Sequence, residues 1–411
     1  MPTDSCRFCG NNLKHIFCDL GASPLSNSYL KQDQLLAMEP TFPLRVHVCD
    51  NCLLVQLQEF QNPEAIFKDY AYFSSYSESW LEHARNYTKY MIERFGYGSE
   101  SQIIEIASND GYLLQYFKEE GIPVLGIEPA ENVAAVARAA GIETMTEFFG
   151  VKTAGQLSGD GIYADLLLGN NVLAHVPDIN DFVAGMKTVL KPDGVITMEF
   201  PHLLRLMEGN QFDTIYHEHF SYFSLIAVEK IFSKHGLLLF DVEELQTHGG
   251  SLRIFACHAN DKSKTAGERV GELREVEKNK GLEDIRTYIS FQNKVNEAKR
   301  NILDFLIRAK RDGKKIAGYG APAKGNTLLN FCGIRTDFID FTVDRNPNKQ
   351  GHYLPGTRIP VYPPEKIDEA RPDYLVILPW NIMHEVMEQM DRVREWGCKF
   401  VILIPKVEVI E

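Results

Sequence analysis

The sequence predicts an α/β protein in three parts, a small cysteine-rich module followed by two domains that each contain a parallel sheet. Two CxxC pairs mark the module, and two separate stretches alternate short apolar runs with helical patterns. Such alternation favours a parallel sheet with helices on both faces. A chain of 411 residues also exceeds the ~250–300 residues that one core usually serves.

The composition argues against two classes of partner. The formal net charge is -13, whereas a general affinity for nucleic acid needs a basic face. No apolar run reaches the ~18–20 residues that a membrane span requires. The first ten residues, MPTDSCRFCG, lack the basic start and apolar stretch of a signal peptide. We therefore expect a cytoplasmic protein without nucleic-acid or membrane partners, either a monomer or a small homo-oligomer.

The cysteine pairs predict a structural zinc site. Cys6 and Cys9 form the first CxxC pair, and Cys49 and Cys52 form the second. Each pair can turn two thiolates toward one point, and two pairs supply the tetrahedral sulfur set that suits zinc. All four positions are then occupied by protein ligands, so no place remains for a catalytic water. Cys18 has no partner in a CxxC pair and is the weaker candidate.

The first alternating stretch predicts particular strands and helices. We expect strands at 103–106 and 124–127, a helix from about 132 to 140, and two neighbouring antiparallel strands at 236–244 and 251–258. The charges of the segment KSKTAGERVGELREVEKNKGLED predict a solvated face. A second, smaller α/β pattern begins near residue 313.

Acidic residues follow the first two strands of the predicted sheet. Glu105 lies on the first strand, and the turn ASNDG comes after it. Glu128 ends the second strand, where a carboxylate can accept from both hydroxyls of a ribose. The turn lacks the full GxGxxG pattern, which makes a dinucleotide less suitable.

Together with the later segment DLLLGNNVLAHV, this pattern resembles the S-adenosylmethionine-dependent methyltransferases of the seven-stranded α/β type. The resemblance implies that Glu105 and the turn hold the methionine end, that Glu128 holds the ribose, and that two asparagines line the pocket near the methyl group. The family more often has glycines where this turn reads Ala-Ser-Asn. The implied cofactor residues are Glu105, Ala107, Asn109, Gly111, Glu128, Pro129, Asn170 and Asn171.

The motifs taken in order narrow the resemblance. After the cysteine module come DYAYFSSYS, EIASNDGYLL, GNNVLAHVPD, YHEHFSYFS, THGGSLRIF and GYGAPAKGNTLLN. This order is similar to that of the sugar-nucleotide C-methyltransferases that make branched deoxyhexoses, and it covers nearly the whole chain. The resemblance implies S-adenosylmethionine, structural zinc and a nucleoside-diphosphate 4-keto-deoxyhexose that is methylated at C3.

The predicted parts follow from this resemblance. They are a zinc-binding module at 1–75, a seven-stranded class I methyltransferase domain at 76–260, a helical connection at 261–312, and a Rossmann-like α/β domain at 313–411 that helps to bind the sugar nucleotide.

The stretch YHEHFSYFS offers the groups that methyl transfer to carbon needs. The reaction requires a base at C3 and a donor at the C4 oxygen, and histidine titrates near neutrality. In an extended segment His217 and His219 would share one side, so geometry alone does not order them. The resemblance favours His219 as the base. The catalytic candidates are His219, Glu218, Tyr216, His175, Tyr70 and Tyr222.

Two glycine-rich motifs predict the rest of the substrate site. The motif GYGAPAKGNT places Lys324 between a strand and a helix start, a position that suits the pyrophosphate. The candidates here are His248, Gly249, Ser251, Arg253, Tyr319, Lys324 and Asn326.

Three alternative activities stay open at this point. They are a sugar O-methyltransferase, a zinc-ribbon RNA methyltransferase, and a methyltransferase whose carboxy-terminal domain also acts as an NAD(P)H reductase. As a metal site the stretch YHEHFSYFS is weak, because it does not match HExxH.

Overall fold

The computed structural model describes residues 4–60 and 74–411. Their strands are β1 (His15–Ser23), β2 (Phe42–Val48), β3 (Val55–Leu57), β4 (Ile103–Ile106), β5 (Val124–Ile127), β6 (Thr144–Met145), β7 (Ala164–Asn170), β8 (Leu190–Pro201), β9 (Ser221–Tyr222), β10 (Leu237–Leu245), β11 (Ser251–His258), β12 (Ile316–Tyr319), β13 (Thr342–Val343), β14 (Val361–Tyr362), β15 (Tyr374–Ile377), β16 (Lys399–Ile402) and β17 (Glu408–Ile410).

The α-helices of the same residues are α1 (Glu78–Phe95), α2 (Leu114–Glu119), α3 (Glu131–Ala139), α4 (Val151–Gly159), α5 (Ile179–Val189), α6 (Leu203–Glu208), α7 (Leu225–Lys234), α8 (Glu268–Asn279), α9 (Ile285–Arg311), α10 (Ala323–Cys332), α11 (Lys366–Ala370) and α12 (Met383–Gln389). None of these helices is long and apolar enough to cross a membrane.

The central sheet has seven strands in the order β6-β5-β4-β7-β8-β11-β10. Strand β11 runs antiparallel to both of its neighbours, and the other pairings are parallel. The predicted fold class is therefore confirmed, as are the strands at 103–106 and 124–127 and the antiparallel pair. Because β4, β5, β7 and β8 are parallel neighbours, the loops after their carboxyl ends meet at one edge of the sheet.

The amino-terminal sheet has four strands in the order β1-β2-β3-β9. Its last strand comes from the middle of the chain, where Tyr222 pairs with Val55 and Ser221 pairs with Gln56. The stretch YHEHFSYFS therefore ends inside the sheet of the cysteine module.

The carboxy-terminal sheet has the order β14-β13-β12-β15-β16-β17, and only β17 is antiparallel to its neighbour. Helix α9, 27 residues long, carries a buried face that includes Tyr288 and Phe291. The Phe291 ring stacks on Phe17 of β1 with 4.7 Å between the ring centroids. One hydrophobic core thus joins β1, α9 and the carboxy-terminal sheet.

One charged residue departs from the predicted solvated face. Glu277 on α8 is fully buried and accepts from the backbone N–H groups of Leu225 and Ile226 at the start of α7. Its Oε1 atom also lies 2.7 Å from Nε2 of His202. The prediction for this residue was wrong, because the free N–H groups of a helix start attract a carboxylate even in the interior.

Candidate active site

The four cysteines of the two CxxC pairs converge on one point. Their Sγ atoms all lie within 4.8 Å of one another. The distance from Cys6 to Cys52 is 3.5 Å, and that from Cys9 to Cys49 is 3.6 Å. A tetrahedron with Zn–S bonds of ~2.3 Å has edges of about 3.8 Å, so the cluster fits zinc. Cys18 is buried in β1 and does not belong to this cluster.

The two cysteine turns have the same backbone geometry. The residue after each second cysteine is left-handed, with φ of 74° at Gly10 and 66° at Leu53. Its N–H donates to the carbonyl of the first cysteine of its own pair at 2.9 Å in both turns. A side-chain amide also supports the cluster, since Gln56 Nε2 donates to Cys6 Sγ at 3.1 Å.

The turn after β4 keeps the backbone of a glycine-rich turn although it has only one glycine. Ala107, Asn109 and Gly111 have φ of 56°, 51° and 80°. Left-handed backbone costs a residue with a side chain roughly 1–2 kcal/mol. A Cβ atom added at Gly111 would lie 3.0 Å from the Ile142 side chain, which explains the glycine at that position. Ala107 and Asn109 therefore adopt a left-handed backbone that a glycine would favour.

Two buried carboxylates flank this turn. Glu128 accepts from the backbone N–H groups of Asn109 at 3.0 Å and Ala130 at 2.9 Å. Glu105 is 0% exposed, and its carboxylate oxygens have no hydrogen-bond partner within ordinary distance and angle among the described residues. Burial raises the pKa of Glu105 well above its usual value, neighbouring acids add to the shift, and the nearby Tyr112 side chain lowers this pKa somewhat. An unsatisfied buried carboxylate of this kind suits a bound ammonium group. Pro129 follows Glu128 in the loop before α3.

The asparagines at the carboxyl end of β7 face the loop between β10 and β11. Asn171 is left-handed with φ of 56°, and its N–H donates to the carbonyl of Glu199 at 2.7 Å. Its Nδ2 donates to Nε2 of His248 at 3.2 Å. Nδ2 of Asn170 is buried without a hydrogen-bond partner among the described residues, which leaves a donor for a ligand.

The stretch YHEHFSYFS forms a turn, not the extended segment that was predicted. The N–H of His219 donates to the carbonyl of Tyr216 at 2.9 Å, which closes the turn. His217 therefore points toward the cysteine module, where its Nε2 lies 3.3 Å from the carbonyl of Pro43 and its ring packs against Phe42. An extended segment would place the two histidines on one side, whereas the turn separates them.

His219 faces the opposite side of the turn. Its Nδ1 lies 2.9 Å from the carbonyl oxygen of Thr214, which can only accept. The neutral ring consequently carries its proton on Nδ1 and its lone pair on Nε2. The ring packs against Tyr216 with 4.0 Å between centroids and against His175 with 4.7 Å. His219 also lines a small cavity that Tyr222 of β9 shares.

The charges around His219 come from three other motifs. Burial lowers the pKa of His219 well below its usual value, and His175, His248 and Lys324 lower it further. These side chains are far apart in sequence and close enough in space to interact electrostatically. His219 is therefore neutral at neutral pH and available as a base.

His175 repeats the arrangement of His219. Its Nδ1 donates to the carbonyl of Glu218 at 2.8 Å. Burial lowers the pKa of His175 to about 4. Both imidazoles are thus held neutral by burial and oriented by a backbone carbonyl.

Glu218 is bonded to a residue of the cysteine module that the sequence did not single out. Its Oε1 accepts from Nδ2 of Asn27 at 2.7 Å. Burial raises the pKa of Glu218 to about 7, and the Asn27 bond opposes this rise. Asn27 lies in the loop after β1, in the segment PLSNSYL, which contains no motif that predicts the contact.

The structure describes only part of the segment DYAYFSSYS, and it includes Tyr76 but not Tyr70. Tyr70 lies outside the described residues. Tyr76 is 70% exposed in a short 3-10 helix at Ser74–Tyr76. The N–H of Ser74 donates to Oδ1 of Asn109 at 2.9 Å, so the start of this helix contacts the turn after β4.

Lys324 lies where the carboxy-terminal domain meets the turn at residues 213–222, which contains the candidate base His219. Its Nζ donates to Asn381 at 2.8 Å and lies 4.6 Å from the centre of the Trp380 ring. The indole of Trp380 donates to Asp213 at 2.7 Å. Burial lowers the pKa of Lys324, and the nearby carboxylate of Asp213 opposes that shift. Gly249 lies against the same indole, since an added Cβ would be 2.5 Å from a Trp380 ring atom.

Two predicted substrate residues of β11 already have protein partners. Arg253 is 5% exposed, and its guanidinium lies 3.1 Å from Glu199 and 3.1 Å from Glu243. The hydroxyl of Ser251 donates to the carbonyl of Thr247 at 3.0 Å. Arg253 thus has the contacts of a structural ion pair and not those of an open anion-binding group.

Tyr319 and Asn326 also bind other parts of the protein. The hydroxyl of Tyr319 donates to Gln389 of α12 at 2.8 Å. Nδ2 of Asn326 donates to the carbonyl of Ser26 at 2.7 Å, which attaches α10 to the loop after β1. Oδ1 of Asn326 is buried without a hydrogen-bond partner among the described residues.

Comparison with protein-family models divides the chain into three matches. A zinc binding domain of methyltransferases matches residues 6–67, a methyltransferase domain matches residues 80–241, and a C-methyltransferase C-terminal domain matches residues 246–405. The first match contains all four cysteines, and the second contains the turn after β4 and the turn at residues 213–222.

A curated relative covers the whole chain. C-methyltransferase NovU of Streptomyces niveus is 36% identical over 409 residues, which are 100% of this chain and 97% of that protein. Among solved structures, magnesium protoporphyrin IX methyltransferase of Synechocystis with bound SAM is 14% identical and covers 43% of this chain and 79% of that chain, with a TM-score of 0.33. The CcbJ methyltransferase of Streptomyces caelestis is 10% identical and covers 43% of this chain and 89% of that chain, with a TM-score of 0.33. The protein therefore belongs to the S-adenosylmethionine-dependent C-methyltransferases that carry an amino-terminal zinc-binding domain.

Proposed function

We propose that this C-methyltransferase transfers the methyl group of S-adenosylmethionine to C3 of a nucleotide-linked 4-keto-deoxysugar. The observation that carries the proposal is the tautomer of His219. Its Nδ1 is bonded to the Thr214 carbonyl, so the lone pair on Nε2 remains as a base beside a buried cavity. Formation of a carbon nucleophile requires a base that removes a proton from carbon. Groups that only donate hydrogen bonds cannot remove that proton.

The substrate chemistry explains why a weak base is enough. A ketone at C4 acidifies the protons on both neighbouring carbons, C3 and C5, because either carbanion delocalises into an enolate. His219 removes the proton, and the pair of electrons left on carbon attacks the methyl group. When bound, S-adenosylmethionine supplies an electrophilic methyl group on a sulfonium. The protein contributes the orientation of carbon and methyl, together with the removal of water.

The cofactor residues in this proposal are those of the turn after β4 and its neighbours. The free carboxylate of Glu105 accepts the ammonium group of the methionine end, and Glu128 accepts the ribose hydroxyls. Asn170 and Asn171 hold the methyl end, since they lie at the carboxyl end of β7 and Asn170 has a free donor there.

The sugar nucleotide in this proposal lies between the carboxy-terminal domain and the turn at residues 213–222, which is the catalytic turn of the proposal. Lys324 is a partly buried cation on that side, and it interacts with both His219 and His248. It serves an anionic substrate, with the start of α10 beside it. Tyr216 packs on the His219 ring and can donate to a sugar oxygen. The hydroxyl of Tyr222 is sealed from solvent, so this tyrosine packs beside His219 and does not reach the sugar.

The alternatives receive less support. Transfer to oxygen disagrees with the C-methyltransferase family to which the chain belongs. An RNA substrate disagrees with the net charge of -13. A reductase activity lacks a motif, because the turn after β12 does not have the spacing of a dinucleotide site.

The test is methyl transfer from donor labelled with carbon-13 to a panel of 4-keto-6-deoxy sugars carried on thymidine or guanosine diphosphate. Two-dimensional NMR of the product reads which atom bears the methyl group. The expected product has a new carbon–carbon bond at C3. A methyl group on oxygen would contradict carbon-acid chemistry, a methyl group on C5 would correct the position alone, and no transfer across the panel would reject the substrate class.

A further inference from the structure

His248 has a strained backbone in the loop that joins β10 and β11. Its φ and ψ are 54° and 21°, which is the left-handed region. Asn171, across the edge of the sheet, is left-handed as well. Such conformations are unfavourable for residues with a side chain and persist where the surrounding structure imposes them, often at functional sites. Here the two strained residues are hydrogen-bonded to each other.

This bond fixes which nitrogen of His248 carries the proton. The amide Nδ2 of Asn171 can only donate, and it lies 3.2 Å from Nε2 of His248. Nε2 is therefore the acceptor, and the neutral ring is protonated on Nδ1. Burial, followed by the charge of Lys324, lowers the pKa of His248 to about 4, so the ring stays neutral at neutral pH.

The Nδ1–H group of His248 is open to a ligand. It makes no hydrogen bond with the described residues, and it is not among the polar atoms that are sealed from solvent without a partner. The neighbouring Gly249 packs on the indole of Trp380, which lies under Lys324 and donates to Asp213. His248 is thereby placed beside the catalytic turn.

His248 and His219 have opposite tautomers. His219 exposes a lone pair on Nε2, whereas His248 exposes an N–H on Nδ1. The two rings also interact electrostatically, and both interact with Lys324. Enolisation needs this combination, a base for the proton on carbon and a donor for the oxygen of the carbonyl.

We propose that His248 is a catalytic residue whose Nδ1–H donates to the C4 carbonyl oxygen and stabilises the enolate that His219 creates. The inference rests on the proposed function and adds the donor that stabilises the negative charge on the enolate oxygen. A neutral imidazole is a competent donor to a carbonyl that is becoming an enolate.

The electrons and the proton balance in this step. Nε2 of His219 takes the proton from C3, the C–H pair forms the double bond between C3 and C4, and the carbonyl π pair moves to the oxygen that His248 holds. In the transfer step an electron pair on the enolate oxygen re-forms the C4 carbonyl, and the π pair between C3 and C4 forms the new bond from C3 to the methyl carbon. The pair of the methyl–sulfur bond stays with sulfur. The proton on His219 passes to solvent, and His248 keeps its own proton throughout.

Two substitutions separate the donor from the structural bond. In H248N the side-chain amide occupies the position of Nδ1, and asparagine tolerates the left-handed backbone. In H248Q the amide reaches the position of Nε2 and can keep the bond to Asn171, but the Nδ1 donor is lost. Loss of one donor to a developing oxyanion typically lowers kcat by about 10²–10³-fold. We expect kcat to fall by about 10²-fold in H248Q and by less than about 10-fold in H248N, with little change in KM.

The matched control is H235Q, since His235 ends α7 and its Nε2 bonds to Asn180. It should leave kcat unchanged, and thermal unfolding should show that all three variants are folded. A variant H248Q that is more active than H248N would overturn the proposal, because the bond to Asn171 would then be the important one. Equal losses in both variants, or none, would overturn it as well. If the wild-type enzyme transfers no methyl group to any keto sugar, the proposed function fails, and this inference fails with it.

Discussion

The catalytic turn at residues 213–222 is held from two sides that use different kinds of contact. The cysteine module holds it through strand pairing of β3 with β9 and through neutral groups, the carbonyl of Pro43 on His217 and the amide of Asn27 on Glu218. The carboxy-terminal domain holds it through Trp380 and the partly buried charge of Lys324, both acting on Asp213. The cysteine module fixes the position of the turn, and the carboxy-terminal domain favours the ionised form of Asp213.

Arg7 extends the first side to the zinc site. It follows Cys6 directly, and its Nη1 donates to the carbonyl of Pro177 at 2.8 Å. Its guanidinium lies 5.4 Å from the centre of the Phe220 ring in the catalytic turn. We therefore expect that loss of the zinc site reduces both stability and turnover, whereas loss of the Lys324 charge on the carboxy-terminal side reduces turnover alone.

The largest effect should come from His219, and His217 on the other side of the same turn is its comparison. Replacement of His219 by Asn removes the lone pair of the proposed base, and general-base catalysis contributes ~10²–10⁴-fold. We expect kcat to fall by that factor, with donor binding measured by calorimetry nearly intact. The partner variant His217→Asn should lose less than about 10-fold in kcat, because His217 points toward Pro43. Equal losses in the two variants would remove the distinction between the two sides.

The next effect concerns the zinc. Replacement of Cys6 by Ser should release the metal, and structural zinc contributes folding free energy directly. We expect lower zinc content by atomic spectroscopy, a lower midpoint of thermal unfolding and a parallel fall in kcat. The buried Cys18, which lies outside the cluster, is the matched control, and Cys18→Ala should retain its zinc. A Cys6 variant with full zinc content would reject the four-cysteine site.

On the carboxy-terminal side, replacement of Lys324 by Met removes a partly buried charge and keeps the length of the side chain. Lys324 lowers the pKa of Asp213, which burial otherwise raises to about 6. We expect kcat to fall by about 10-fold or more through lost electrostatic stabilisation, with the midpoint of thermal unfolding nearly unchanged. The surface variant Lys406→Met, whose side chain is 77% exposed, tests whether any lysine of this domain has the same effect. A large loss of stability in Lys324→Met with unchanged kcat would reverse the assignment of this side.

The smallest effect is a shift in pH dependence. The Asn27 amide favours the ionised form of Glu218, so Asn27→Ala should raise the pKa of Glu218 above about 7. If ionised Glu218 supports turnover, the acidic limb of kcat/KM moves to higher pH. Ser28→Ala, one residue further along the same exposed loop, should leave the profile in place. An acidic limb that moves to lower pH would contradict the sign of this contact.

Local patterns in the sequence were sufficient for the zinc ligands and for the central sheet. The spacing of Cys6, Cys9, Cys49 and Cys52 and the apolar runs at β4 and β5 are signals that a short window contains. Positive φ at Ala107 could not be predicted, because alanine rarely adopts it without support from the surrounding structure.

The site itself depends on contacts between distant parts of the chain. The turn that separates His217 from His219 is fixed by Thr214 and by pairing of a two-residue strand with β3, and a strand this short carries no periodic pattern. The contact of Asn27 with Glu218 likewise arises only after the cysteine module has packed on this turn. The ion pairs of Arg253 depend on the register of β11 against β8 and β10 in the central sheet.

The most direct test of the account is exchange of the substrate proton with solvent. The enzyme is incubated in D2O with a 4-keto-6-deoxy sugar nucleotide and the demethylated cofactor, and NMR follows the protons on C3 and C5. We predict that deuterium enters C3 with the wild-type enzyme and that the His219→Asn variant abolishes this exchange while His217→Asn retains it. Equal exchange in the wild type and in His219→Asn, or none in the wild type while methyl transfer proceeds to oxygen, would contradict the assignment of His219 as the base of a carbon-acid reaction.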